Sequence, residues 1–336
     1  MMFLGVEDYG NIAHISVDLD SSVEGFIHAL QQCRRTKNLL AAKYVHTLVC
    51  SRGLEAHGFI GNYLVPVFVE CNAISQARQV FERSVHINEF SWTSLISAES
   101  QCGHLNNALT FYHKMQEVNI CPSCHTLVAL LKACSMAKDI IAGQEIHLDV
   151  AEMGFEEDPY VGNALIDMYA KCGSLYEARE VLNEMPDRGV VQWTTLMAGY
   201  VDHGPYLEAL LCFEQMQLEG LVADAFSFTC GVKACGLLGC MEKGMVLHKE
   251  LIHKGFEKDL FVGSSLVAMY AKFGSLVEAQ EIFDKLSTRD IVVWNSLLTG
   301  YAEHGLLEDA WGCLEEMKVH GIFPDAISLA CFLKCC

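Results

Sequence analysis

Between Ile291 and Asp325 the chain reads IVVWNSLLTGYAEHGLLEDAWGCLEEMKVHGIFPD. Trp294, Leu297, Leu298 and Tyr301 recur at helical spacing, and Leu307, Ala310, Leu314 and Met317 do so again. Gly305 separates the two runs, and Gly321 and Pro324 follow the second. Glycine tolerates the left-handed backbone that closes a helix and proline resists continuing one, so the pattern predicts helix, turn, helix, stop. A lone hairpin of this kind leaves apolar faces uncovered. It needs similar neighbours on both sides, which is why such patterns come as arrays.

The same register divides the chain into nine repeats: 23–57, 58–88, 89–123, 124–158, 159–189, 190–224, 225–259, 260–290 and 291–325. Their lengths cycle 35, 31, 35, a period of 101 that also separates Cys33, Cys134, Cys235 and Cys336. Residues 1–22 match nothing in the register and are expected to form a poorly packed leader, and 326–336 begin a further, incomplete repeat. The inter-helix glycine returns as Gly103, Gly173, Gly204, Gly274 and Gly305, with Asn72 in a sixth case. An alanine five residues later returns as Ala77, Ala108, Ala178, Ala209, Ala279 and Ala310, where close helix crossing leaves no room for more. Met115, Met216 and Met317 recur in the second helix as further core positions.

Composition narrows the class. The chain of 336 residues is 51% hydrophobic with 6 prolines, too apolar for disorder and sparse enough in proline for helix. No apolar run reaches the roughly 20 residues that cross a bilayer, so no membrane partner is expected. The first 33 residues carry Glu7, Asp8, Asp18 and Asp20 but no arginine, unlike a secretory signal or an arginine-rich transit peptide. Sixteen cysteines at repeat spacing read as packed free thiols of a reducing compartment and not as a disulfide framework. The net charge of −19 weighs against a nucleic-acid partner, though a locally neutral groove is compatible with it.

The segment VGNALIDMYAKCGSLYEAREVLNEMPDRG, from Val161 to Gly189, LKACSMAKDIIAGQEIH from Leu131, and the 291–325 repeat together closely resemble the pentatricopeptide-repeat (PPR) proteins of land plants. The 101-residue triplet resembles the PLS subclass, whose P, L and S repeats alternate in length. Tetratricopeptide arrays, with 34-residue units, do not fit the 31-residue repeats. The resemblance implies an all-α, right-handed α-solenoid (superhelix) of stacked helix-turn-helix repeats. It implies sequence-specific binding of single-stranded RNA, one base per repeat, in a mitochondrion or chloroplast. A role as specificity factor for cytidine-to-uridine editing or another processing step follows in the same way, with any deaminase supplied in trans.

In that family the fifth and last residues of a repeat meet the base edge and the second sandwiches the base. Carried over, the base-selecting pairs are Asn62 with Asn88, Thr93 with Ser123, Asn163 with Gly189, Thr194 with Asp224, Ser264 with Asp290, and Asn295 with Asp325. Amide, hydroxyl and carboxylate groups offer complementary donors and acceptors at these places. The stacking set is Phe59, Phe90, Tyr160, Val191, Phe261 and Val292. Lys171 and Lys272 fall where the family often contacts phosphate, but Glu70, Asp202 and Glu303 occupy the equivalent place elsewhere. Gly189 stands where the family usually has aspartate. The long repeats with Ile27 and His57, Val128 and Asp158, and Thr229 and Asp259 read as spacers. The expected target is n-Y-R-n-Y-G-n-G-U, with Y a pyrimidine and R a purine.

No catalytic residues, cofactor or metal site are expected. A zinc deaminase needs His-x-Glu followed by Pro-Cys-x-x-Cys. Here Cys121-Pro122-Ser123-Cys124 precedes His248-Lys249-Glu250, in reverse order and in different repeats. No phosphate loop or nucleophile elbow occurs. Two other readings stay open: a scaffold whose groove takes a peptide, which the acidic balance favours, and a truncated copy without a stable RNA target.

Overall fold

The computed structural model describes residues 22–54 and 59–334. The leader 1–21, His57 and Cys336 therefore lie outside the described residues. Among the described residues every regular element is helical. Numbered in chain order, helices come in pairs: α1 (Val23–Thr36) and α2 (Leu39–Ser51), α3 (Gly61–Glu70) and α4 (Ile74–Arg83), α5 (Glu89–Gln101) and α6 (Leu105–Glu117), α7 (Cys124–Ala137) and α8 (Ile140–Glu152). The pairs continue as α9 (Pro159–Lys171) and α10 (Leu175–Glu184), α11 (Val190–His203) and α12 (Tyr206–Leu218), α13 (Ala225–Leu238) and α14 (Met241–His253). They end with α15 (Leu260–Lys272) and α16 (Leu276–Lys285), α17 (Ile291–Glu303) and α18 (Leu307–Val319), then α19 (Ala326–Leu333).

The chain forms two compact parts, 1–168 and 169–336. In the first, α1, α3, α5 and α7 pack one on the next, and in the second α11, α13, α15, α17 and α19 do. Within each part these odd-numbered helices thus stack side by side, with the second helix of their hairpins lying against its own partner, the arrangement of an α-solenoid.

Local chemistry explains the hairpins. The inter-helix glycines hold positive φ, from 70° at Gly305 to 109° at Gly204, and Asn72 sits at 56°. The repeated alanines Ala77, Ala108, Ala178, Ala209, Ala279 and Ala310 are all fully buried, as are Met115, Met216, Cys33, Cys134 and Cys235. Fourteen cysteines among the described residues are free thiols. Proline interrupts less than the sequence suggests, because α3 runs straight through Pro66. Pro66 has no N–H for the carbonyl of Asn62, and the Ser91 hydroxyl approaches that carbonyl at 3.3 Å.

Candidate nucleic-acid interface

Repeat ends become helix caps. The last residues Asn88, Asp224, Asp259, Asp290 and Asp325 each place one side-chain oxygen, Oδ1, on backbone N–H groups of the next odd helix. For Asp325 the N–H is that of Ser328, at 2.8 Å. Hydrogen bonds from Ser328, its backbone N–H first, hold the Asp325 carboxyl below its ordinary range. Capping alone accounts for a short polar side chain here. It leaves the other terminal atom of each side chain, Oδ2 of an aspartate or Nδ2 of Asn88, available.

In the N-terminal part, Arg34 of α1, Phe59, Asn62 and Pro66, Asn88 and Phe90 line one cleft of about 310 Å3. Both phenylalanines are exposed. Asn62 donates from Nδ2 to the His86 carbonyl at 3.0 Å, and its Oδ1 accepts from the Asn88 N–H at 2.9 Å and the Ser91 hydroxyl at 3.0 Å. A backbone N–H can only donate, so this orientation of the amide is fixed by chemistry. Arg34 pairs with Glu70 at 3.4 Å while its guanidinium lies 5.2 Å from the Phe90 ring centre.

In the C-terminal part, Lys272 of α15, Val292, Asn295 and Glu303 of α17, and Ile327 of α19 line a cleft of about 390 Å3. Asn295 donates from Nδ2 to Asp325 Oδ1 at 3.3 Å, and its Oδ1 accepts from the Ser328 hydroxyl at 2.5 Å. The chemistry again fixes the amide, because a carboxylate only accepts. One expected pair, Asn62 with Asn88, thus shares a single cleft with Phe59 and Phe90, while Asn295 lines the other cleft with Val292 and reaches Asp325 through its amide nitrogen.

The remaining positions are placed differently. Thr93 meets Thr126 at 2.7 Å between hydroxyls, and Thr126 meets Ser123 at 3.3 Å, so this pair is linked through a third residue. Thr194 is buried with its hydroxyl 2.9 Å from the carbonyls of Val190 and Val191, turned onto its own helix and not toward Asp224. Ser264 is half-buried on α15, while Asp290 caps α17. Asn163 is half-buried on α9, and Gly189 donates its N–H to Gln192 Oε1 at 3.0 Å. Tyr160, Val191 and Phe261 are exposed, as are Lys171 and Lys272.

Three residues of this surface escaped sequence reasoning. Phe226 and Ile327, 55% and 60% exposed, hold the second position of a repeat read as a spacer and of the incomplete one. The register alone would have found both. Arg34 had no such signal, since its approach to the cleft depends on how α1 crosses α3.

Among the described residues, no group of three or more His, Cys, Asp or Glu side chains is placed to hold a metal ion. No helix there is long and apolar enough to cross a membrane. His248, part of the deaminase-like fragment, instead has Nδ1 2.9 Å from the Tyr270 hydroxyl.

Stacked helical hairpins, with polar pairs set between exposed apolar side chains, define the class: a helical-repeat protein of the solenoid type. The pattern of the PPR repeat family matches residues 87–136 and 289–336, and that of the PPR repeat matches 163–190, 193–221 and 264–291. The chain belongs to the pentatricopeptide-repeat family. It is 30% identical over 307 residues to the chloroplastic pentatricopeptide repeat-containing protein At4g18520 of Arabidopsis thaliana, covering 91% of this chain and 50% of that one. It is 34% identical over 299 residues to the mitochondrial At3g24000 of the same plant, covering 89% and 47%. The chain thus spans about half the length of these relatives. Its fold is similar to that of the pentatricopeptide repeat protein PPR10, solved in complex with an 18-nt psaJ RNA element. The TM-score is 0.70 at 22% identity, over 81% of this chain and 42% of that one.

Proposed function

We propose that the chain binds single-stranded RNA sequence-specifically, one base per repeat, as a PLS-type organellar specificity factor for cytidine-to-uridine editing or another processing step. It contributes recognition and leaves catalysis to a separate deaminase or processing factor. The observation that carries this reading is the pair of clefts, each lined by an asparagine beside exposed apolar side chains, with that asparagine hydrogen-bonded to the cap residue that ends its repeat. The RNA complex of PPR10 and the organellar designations of the relatives support it.

Donor and acceptor arithmetic gives each cleft a preference. Because Oδ1 of Asn62 and Asn295 is already engaged, and Nδ2 gives one of its two hydrogens to His86 or Asp325, the group each amide can turn to a base is the second N–H, a donor. A donor suits O2 of either pyrimidine and opposes the exocyclic amino group at the matching place on guanine. The cap residue then meets N3. Oδ2 of Asp325 accepts from the N3–H of uracil, whereas Nδ2 of Asn88 donates to the bare N3 of cytosine.

Charge bears on the competing peptide reading. Helices α1, α3 and the other odd-numbered helices carry seven carboxylates and six Lys or Arg, while the even-numbered helices carry nineteen and nine. The acidity is thus concentrated on the second helices, away from both clefts, which removes the main argument for a basic peptide in the groove. Selection from a random pool of single-stranded RNA tests the proposal. Enrichment of n-Y-R-n-Y-G-n-G-U is expected, and a chain that enriches no RNA but binds basic peptides would be the peptide scaffold.

A further inference from the structure

Resting on the RNA reading, we infer that the third residue of the following repeat is a positioning residue for pyrimidine selection: Ser91 for Asn62 and Ser328 for Asn295. Both serines are fully buried, and the shorter contact of each hydroxyl is to the asparagine Oδ1, at 3.0 Å and 2.5 Å, ahead of the Asn62 carbonyl at 3.3 Å and Asp325 Oδ1 at 2.9 Å. A buried hydroxyl needs a partner, and here it has chosen the reading side chain of the neighbouring repeat.

The chain supports the coupling in two separate places, one in each compact part. Thr126, also fully buried at the third position of its repeat, meets Thr93 at 2.7 Å in the same way. Where the third residue is Val262, the preceding Thr229 instead hydrogen-bonds within its own helix, to the Ala225 carbonyl at 2.8 Å. Ser227 stands at the same place in the repeat after Thr194, but its hydroxyl goes to Asp224 Oδ1 at 2.6 Å and Thr194 stays on its own helix, so the hold across the junction belongs to Asn62, Asn295 and Thr93.

The physical role is to choose which end of the amide faces the base. An asparagine amide is nearly symmetrical in shape, so rotation by half a turn swaps a donor for an acceptor at little steric cost. With the serine hydroxyl on Oδ1, the nitrogen faces the cleft and pyrimidine O2 is favoured. Without it the amide is held only by its remaining bonds, from Nδ2 to His86 or Asp325, and the flipped fraction presents oxygen, which repels O2 and accepts from the guanine amino group. On its oxygen side Asn62 also has the Asn88 N–H, while Asn295 relies on the serine there and on the longer 3.3 Å bond from its nitrogen to Asp325 Oδ1.

The test measures binding of the full chain to four single-stranded RNAs of the expected pattern that differ only in the base opposite Asn295. Ser328→Ala should lower the preference for uracil over guanine there about tenfold. Selectivity opposite Asn62, read with a second set of four RNAs varied only at that base, should stay unchanged as an internal control. Ser328→Thr, which restores a hydroxyl, should keep the wild-type preference. A purely structural serine would weaken all four RNAs alike, and that result, or an unchanged preference with Ser328→Ala, overturns the inference. Wild-type chain that binds RNA without discriminating at this base, or binds none, overturns the underlying reading and this inference with it.

Discussion

At the scale of single residues, the structure separates polar groups that hold repeats together from those left with spare hydrogen-bonding capacity. Glu99 is closed to solvent and receives two bonds from Arg78, Nε at 2.5 Å and Nη2 at 2.6 Å, with His104 Nδ1 at 3.1 Å. Burial alone would raise its carboxyl. The bonds from Arg78, Asn107 and His104 outweigh burial and hold it below its ordinary value. A carboxylate with a lowered folded-state value stabilises the fold above the ordinary carboxylate range, and that contribution is lost as pH falls through the lowered value. Arg78→Ala leaves a buried carboxylate with weaker partners and should cost about 2–3 kcal/mol at neutral pH. Urea unfolding should show the gap to wild type narrowing as pH falls through the carboxylate range, where the variant's Glu99 takes up a proton before that of wild type. None of this was visible in sequence, because Glu99 stands where other repeats carry Tyr169, Tyr200, Tyr270 and Tyr301, and nothing in its neighbours announces Arg78. Asn62 and Asn295, the proposed reading residues, were singled out by register, but the hydroxyls that bond them were not, since they belong to the next repeat.

At the scale of helices, the hairpin pattern was legible because turn glycines and buried alanines recur for steric reasons. Close approach between neighbouring odd helices was less so. Gly300 of α17 lies against α15, where an added Cβ would stand 2.5 Å from Ala271 Cβ and 3.2 Å from Ala271 Cα. Gly199 meets Ala170 in the same way one period earlier, at 2.7 Å. Alanine is favoured over glycine within a helix by about 1 kcal/mol, so propensity and packing oppose each other. At Gly300 packing wins, because the obstacle includes backbone: Gly300→Ala should destabilise by about 1–3 kcal/mol. At Gly312 of α18 nothing lies within 4 Å, and Gly312→Ala should stabilise by about 0.5–1 kcal/mol. Thermal unfolding of the two variants beside wild type checks the opposite signs. The run of α3 through Pro66 belongs to this scale too. The carbonyl of Asn62 that the proline frees has the Ser91 hydroxyl of another helix 3.3 Å away, a contact that hydroxyl shares with Asn62 Oδ1.

At the scale of the whole molecule, the net charge of −19 is a poor guide to the clefts, since most of the excess lies on second helices. Each cleft still sets a carboxylate near a cation, with Glu70 paired to Arg34 in one and Glu303 lining the other beside Lys272. Removing such a carboxylate should help phosphate, whereas removing one from a second helix should not. Glu303→Gln should tighten RNA binding about threefold in low salt and steepen its salt dependence, while Glu308→Gln in α18 should change neither. Binding titrations across a salt series check this. The most direct test of base reading by repeat ends exploits the dual use of Asp325. Asparagine caps a helix as well as aspartate, so Asp325→Asn keeps the fold but replaces an acceptor with a donor. Selection from the random RNA pool, run with wild type and variant side by side, should change the preferred base opposite Asn295 from uracil to cytosine and leave every other position as it was. An unchanged uracil preference, or a loss spread evenly over all positions, would contradict base reading at the repeat ends.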